Sequence, residues 1–203
     1  MRNKSVFLFE FEQKEKSLDK RVKKTKRKVI ETLISNFDRD GYFDGNISTL
    51  CKDSGINRTT FYDNFKDMDG LESYAESVEA LDIVNKIESE IPDIKAVSSK
   101  MFLVIDKLID VLEERKERLY KAYKVDIKQS VFSMVNFLIA SLIMDVFPLK
   151  KDDLECNAKV RMICGGLNYY LFYEYRKEKH SSPDVIKKNC YMMAKPFFDC
   201  FEE

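Results

Sequence analysis

Residues 58–66 read Arg-Thr-Thr-Phe-Tyr-Asp-Asn-Phe-Lys. Seven of these nine side chains carry hydrogen-bonding groups, and the other two are phenylalanines four residues apart. Positions four apart share a face of a helix, so Phe61 and Phe65 make one edge to bury. Thr59 and Asp63 then lie opposite that edge, with Lys66 beyond them. Arg58 and Tyr62 line one flank, and Thr60 and Asn64 the other. The chemistry on offer is recognition rather than bond-making. Such groups on a short helix suit a DNA major groove, which admits a helix and presents donors and acceptors to it. The plainer alternative is a solvated helical hairpin of an all-α domain, and the side chains alone leave both open.

Bond-making has no comparable foothold. The chain contains no P-loop, G-x-G-x-x-G, G-x-S-x-G or H-E-x-x-H pattern. Its carboxylates sit in mixed-charge runs such as Glu-Glu-Arg-Lys-Glu-Arg at 113–118, which read as a solvated face. The single histidine, His180, cannot anchor a histidine metal cluster and reads as part of a surface turn. No metal, cofactor or enzymatic activity is expected. Five cysteines, at 51, 156, 164, 190 and 200, are odd in number and form no C-x-x-C. They read as small buried hydrophobes of a reduced, cytoplasmic protein. The most apolar run, 131–147, is broken by Ser133, Asn136, Ser141 and Asp145 and reads as a core helix, not a membrane span.

The elements that must position residues 58–66 are legible around them. Asn46 is a plausible N-cap, and Ile47, Leu50 and Cys51 give the helix after it one apolar stripe. Gly55 ends that helix where a left-handed residue is needed, Ile56 packs at the turn, and Asn57 caps the next helix. Upstream, residues 20–28 hold seven Lys and Arg among nine. They lead into the stripe Val29, Ile30, Leu33, Ile34 and Phe37. A basic helix start in front of such a pair suits contact with a phosphate backbone. Gly41 and Gly45 bracket the loop into Asn46. Charge is uneven along the 203 residues although Lys+Arg and Asp+Glu are 35 each. Residues 14–66 carry 13 basic against 8 acidic side chains, and residues 67–203 carry 20 against 25. A basic front and an acidic back fit a DNA-reading head on a body that does not bind DNA.

The run Gly55-Ile-Asn-Arg-Thr-Thr-Phe-Tyr-Asp-Asn-Phe65, followed by Leu71, resembles the signature of the TetR family of bacterial transcription regulators. The likeness covers residues 22–71. It implies a helix-turn-helix head, a helical body that dimerises through its last two helices, and a small-molecule pocket among the body helices. This chain has Met68 where the family usually has a lysine that contacts phosphate. It has Asp63 and Asn64 where the family often has a basic residue and a His or Tyr. These departures favour an alternative, a protein-interaction module that keeps the helix pair as scaffold.

The rest of the chain shows only helical periodicity. Residues 1–20 read as a mobile or partly docked arm, most simply one without a role. Asp67 should cap a long helix running to Pro92, the connector from head to body. Further helices are expected near 97–112, 127–147 and 152–179, with a basic segment at 115–124. Ser182-Pro-Asp should open a last helix that Pro196 kinks or ends. Gly165-Gly166 inside a helical pattern implies close backbone approach. The stretch from there through Tyr175 and Ser182-Pro-Asp is similar to the C-terminal region of a Firmicutes-type TetR subgroup.

The expectation is thus an all-α protein. Residues 1–20 form an extension, 21–67 a three-helix helix-turn-helix domain, and 68–203 a ligand-binding and dimerisation bundle. Asn46, Ser48, Lys52, Tyr62, Asn64 and Lys66 should meet phosphates of a double-stranded operator, while Arg58, Thr59, Thr60 and Asp63 read bases. An apolar effector would be lined by Phe102, Tyr123, Phe132, Met134, Phe137 and Tyr169. The homodimer contact would use Leu167, Met193, Phe197 and Phe198. No membrane association is expected.

Overall fold

The computed structural model describes residues 6–40, 46–92, 94, 96–124, 128–146 and 153–200. Side chains are described for all of these except 6, 7, 40, 122–124, 128–134, 137, 145 and 198–200. The described chain is all-α. The elements are α1 (Val6–Ser17), α2 (Lys20–Asp40), α3 (Ile47–Ser54), α4 (Arg58–Phe65) and α5 (Met68–Glu90). They continue with α6 (Val97–Glu114), α7 (Lys116–Lys124), α8 (Lys128–Val146), α9 (Leu154–Tyr175) and α10 (Pro183–Ala194), then a 3₁₀ turn (Lys195–Cys200). No described helix is long and apolar enough to cross a membrane.

Local chemistry sets the boundaries. Asp19 caps α2, accepting from the Arg21 amide at 2.7 Å. Asp67 does the same for α5, accepting from Gly70 N at 2.7 Å, and Asp153 for α9, accepting from Cys156 N at 2.8 Å. Each cap satisfies an amide that the first turn leaves without a partner. Pro183 opens α10 at its first turn, and Pro196 falls in the 3₁₀ turn that follows the helix. The glycines at 41 and 45 lie outside the described residues.

The helices bury their stripes in two cores. The smaller holds Val29, Ile30, Leu50, Cys51, Phe61, Phe65 and Leu71, contributed by α2 to α5. The larger joins α5, α6, α8, α9 and α10 through residues such as Ile83, Ile87, Met101, Ile105, Leu138, Ile139, Leu167 and Ile186. Each such aliphatic or aromatic side chain contributes roughly 1.5–3 kcal/mol when fully buried. Helix α5 serves both cores, giving Leu71 to the first and Ala80 to Ile87 to the second.

The arm is, over Val6–Ser17, a docked helix: Leu8 is 0% exposed within the larger core, and Phe11 packs against the same core. The run at 113–118 is not simply a solvated face. Arg118 grips Asp38 of α2 with two bonds of 2.9 Å, and Arg115 reaches Glu79 of α5 at 3.2 Å. Burial pulls the Arg118 guanidinium down, but the Asp38 hydrogen bonds and the charges of Glu79 and Asp38 carry it above its ordinary value. The corner between α6 and α7 is therefore latched to the head. Glu113 faces inward too, accepting from the Tyr175 hydroxyl at 2.9 Å. His180 follows α9 as expected for a turn, yet its ring is largely covered, 5.1 Å from the Tyr175 ring.

Candidate nucleic-acid interface

Two short helices, α3 and α4, meet at a turn whose geometry is fixed at every step. Asn46 Oδ1 accepts from Ser48 N at 2.9 Å and Thr49 N at 3.2 Å, which starts α3. Gly55 ends it at φ 63°, and its amide donates to Lys52 O at 3.1 Å. A side chain there would carry the left-handed backbone cost and would also meet Lys28 Nζ, 3.2 Å from an added Cβ. Asn57 Oδ1 accepts from Thr60 N at 2.7 Å and starts α4. Thus α4 is aimed before any tertiary contact is counted.

Packing then decides which side of α4 faces out. Phe61 is 0% exposed and Phe65 4%, with their rings 5.4 Å apart. Ile56 packs against the same small core. Asn46, Ser48, Lys52, Arg58, Thr59, Tyr62, Asp63 and Lys66, eight of the ten expected contact residues, are all exposed. Thr60 and Asn64 are half-buried. Asn64 turns back on its own helix, donating to Thr60 O at 2.7 Å. Asn46 spends its side-chain oxygen on the cap. Arg58 leans along the flank, donating to the Tyr62 hydroxyl at 3.3 Å; that bond raises its guanidinium further above its ordinary value. Met68 is half-buried against the small core.

The basic start of α2 divides. Lys20, Arg21, Lys24, Arg27 and Lys28 are exposed, and Lys28 reaches the turn between α3 and α4. Lys26 turns inward. Its ammonium lies 4.0 Å from the Tyr74 ring and 5.6 Å from the Phe65 ring. Burial lowers its pKa, opposed by the charge of Glu15. Lys26 belongs to the basic run expected to meet phosphate. The signal against it was spacing: 26, 29, 30, 33 and 37 form a single helical stripe.

The junction after α4 is strained. Lys66 has φ 68° and ψ −53°, close to the rare γ-turn conformation, with its amide donating to Tyr62 O at 3.0 Å. A Cβ added at Gly70 would lie 2.0 Å from Phe65 O, so only glycine fits where α5 starts against the end of α4.

The residues expected to line an effector pocket are not gathered by the described side chains. Phe102 packs edge-to-face on Tyr191 at 4.7 Å, between α6 and α10. Tyr169 is 67% exposed on the outside of α9. The side chains of Tyr123, Phe132, Met134 and Phe137 lie outside the described residues. One described cleft, of about 320 Å³, opens instead between α2 and α5, lined by Ile30, Ile34, Ala75, Val78, Glu79 and Arg115 among others.

No family model matches the chain, and no curated protein or solved structure matches it either.

Proposed function

We propose that this chain is a homodimeric transcription regulator of TetR type, a repressor that reads double-stranded operator DNA with α3 and α4. The observation that carries the reading is the division of α4: two phenylalanines hold it to a small core while Arg58, Thr59, Tyr62, Asp63 and Lys66 stand outside. Among the exposed cations at the start of α2, Lys28 reaches the turn between α3 and α4 and supplies charge that a phosphate backbone demands. The head is latched to the body through Arg118 and Asp38. An effector that favours one arrangement of body and head would thereby change affinity for the operator.

The dimer is supported by the outer face of α9 and α10. Met162, Tyr169 and Tyr173 form one stripe on α9, and Val185 and Met192 stand out from α10. A Cβ at Gly165 would meet nothing within 4 Å, whereas one at Gly166 would meet Met193 Cε at 2.9 Å. Gly166 thus serves the packing of α9 on α10, and Gly165 leaves room for a second copy. Leu167, expected on this contact, is 1% exposed and belongs to the chain's own core, and Met193 is half-buried against Gly166.

Asp63 and Lys66 separate the DNA reading from the interaction-module alternative. A duplex is first selected from a random-sequence pool by the full-length protein, and binding is titrated across salt against a scrambled duplex. Lys66→Ala is expected to weaken both and to reduce the salt slope by about one. Asp63→Ala is expected to cost about 1–3 kcal/mol on the selected duplex alone, as for a carboxylate accepting from a cytosine amino group. If neither variant changes binding, α4 is not in the groove. If no duplex is selected at all, the protein-interaction reading replaces this one.

A further inference from the structure

Helix α1 is buried in the larger core and reaches a residue that packs on the smaller one. Near its start, Leu8 is fully buried in the larger core. Near its end, Glu15 Oε1 accepts from the Tyr74 hydroxyl at 2.7 Å, and the Phe11 ring packs tilted against the same ring at 5.5 Å. Tyr74 belongs to α5 and packs on the small core, 5.8 Å from the Phe65 ring that floors α4. Lys26 of α2 fills the remaining side, over both rings. Four helices therefore converge on one tyrosine, directly beneath the C-terminal turn of α4. That turn runs straight into the strained Lys66. A body anchored at Leu8 and a floor held at Tyr74 are the two ends of a single short helix.

We propose that α1 is a positioning strap for α4: through Glu15 and Tyr74 it ties the orientation of the outward face of α4 to the packing of the body. Glu15, Tyr74 and Lys26 are positioning residues that touch no ligand. They act through Phe65. The proposal rests on the DNA reading given above for its binding readout, and on the fold alone for a second readout.

The test uses four full-length variants: Tyr74→Phe, Glu15→Ala, Glu15→Gln, and Tyr74→Phe with Glu15→Ala. Tyr74→Phe keeps every ring contact and removes only the hydroxyl. Each protein is titrated with the selected duplex and with the scrambled one, and amide exchange is followed residue by residue without DNA. Tyr74→Phe and Glu15→Ala should each lower the ratio of selected to scrambled affinity by about 3- to 10-fold, the size one hydrogen bond carries. Affinity for the scrambled duplex should stay within about twofold of wild type, since the phosphate-facing cations are untouched. Glu15→Gln should restore most of the ratio, because an amide oxygen still accepts. The double variant should be no worse than the singles, since all remove one link. Without DNA, amides of α4 should exchange faster in Tyr74→Phe while those of α3 hold. Unchanged α4 exchange in Tyr74→Phe overturns the strap, as does a wild-type ratio in that variant. A wild-type protein that selects no duplex defeats the DNA reading instead, and the exchange measurement then judges the strap alone.

Discussion

Two pairs of helices, α3 with α4 and α9 with α10, present opposite outer faces. Both pairs are held by an apolar inner face. Outside, α4 shows Arg58, Thr59, Tyr62 and Asp63, and Lys66 follows it, all able to hydrogen-bond. Helix α9 shows Met162, Gly165, Tyr169 and Tyr173, and α10 shows Val185 and Met192, bordered by the exposed cations Arg161, Arg176 and Lys188. A polar outer face gains from a partner that presents donors, acceptors and charge. An apolar one gains by leaving water. Burial inside the chain explains why each pair is a pair. Only the outer residue types say what else it meets.

The first way to break the comparison is to remove the inner face of one pair. Phe61→Ala should cost about 3–5 kcal/mol, as for a fully buried phenylalanine whose site cannot collapse. Among the described residues the small core has seven buried members, all from α2 to α5, so the loss should fall on the head alone. Thermal unfolding followed by circular dichroism should then split into an early head transition and a later body one. A single transition shifted as a whole would mean that head and body are one cooperative unit, bound by α1, α5 and the Arg118 latch.

What was legible in the sequence follows from where the information sits. The α3–α4 turn could be read closely, since Asn46, Gly55 and Asn57 act over two to four residues and their chemistry is local. The connector and its two ends were equally plain in Asp67 and Pro92. Long-range partners were not. Nothing within residues 1–20 says that Leu8 will enter the body core or that Glu15 will find Tyr74, 59 positions away. Arg118 and Asp38 are 80 apart, and a mixed-charge run gives no hint of a partner at that distance. Leu167, expected on the dimer contact, lies in the chain's own core for a related reason. On a helix apolar on several faces, periodicity does not say which face the chain keeps for itself.

The outer face of α9 and α10 can be removed without touching the inner one. Met162→Asp with Tyr169→Asp should release dimer to monomer in sedimentation, since central aromatic and large apolar contacts each carry about 2 kcal/mol or more. The two side chains are 65% and 67% exposed within one chain, so the variant should remain helical. Leu167→Asp should instead unfold the body. Dimer persisting in the double variant would place the contact elsewhere and would leave the apolar stripe without a partner.

The junction behind α4 offers a smaller perturbation. Gly70→Ala brings a methyl against the Phe65 carbonyl, a backbone atom that cannot rotate away. Overpacking of this kind typically costs 1–3 kcal/mol, and the mismatch should be taken up by tilting α4 against α5. The same alanine at Gly165 should leave the monomer fold unchanged, because its Cβ would stand in open space. Denaturant midpoints of the two variants, compared at equal m-value, check both statements. Equal loss at the two positions would remove the distinction between a glycine used inside the chain and one facing out.

The smallest expected effect isolates the strain at Lys66 from its charge. Lys66→Gly and Lys66→Ala both delete the same ammonium, so both should lose equally the phosphate contact proposed for it. They differ only in backbone: φ 68° suits glycine and penalises alanine. Left-handed strain of this kind costs on the order of 1–3 kcal/mol, part of which glycine returns as extra freedom of the unfolded chain. Lys66→Gly should therefore be the more stable of the two by about 1 kcal/mol in denaturant unfolding. On the selected duplex the order should reverse. A relaxed junction lets α4 sample more orientations, and only the one that seats Thr59 and Asp63 in the groove counts toward binding. Glycine would then bind more weakly than alanine despite being more stable. If stability and affinity rise together, the strained turn is a packing consequence, and the outward face of α4 owes its orientation to Phe61 and Phe65 alone.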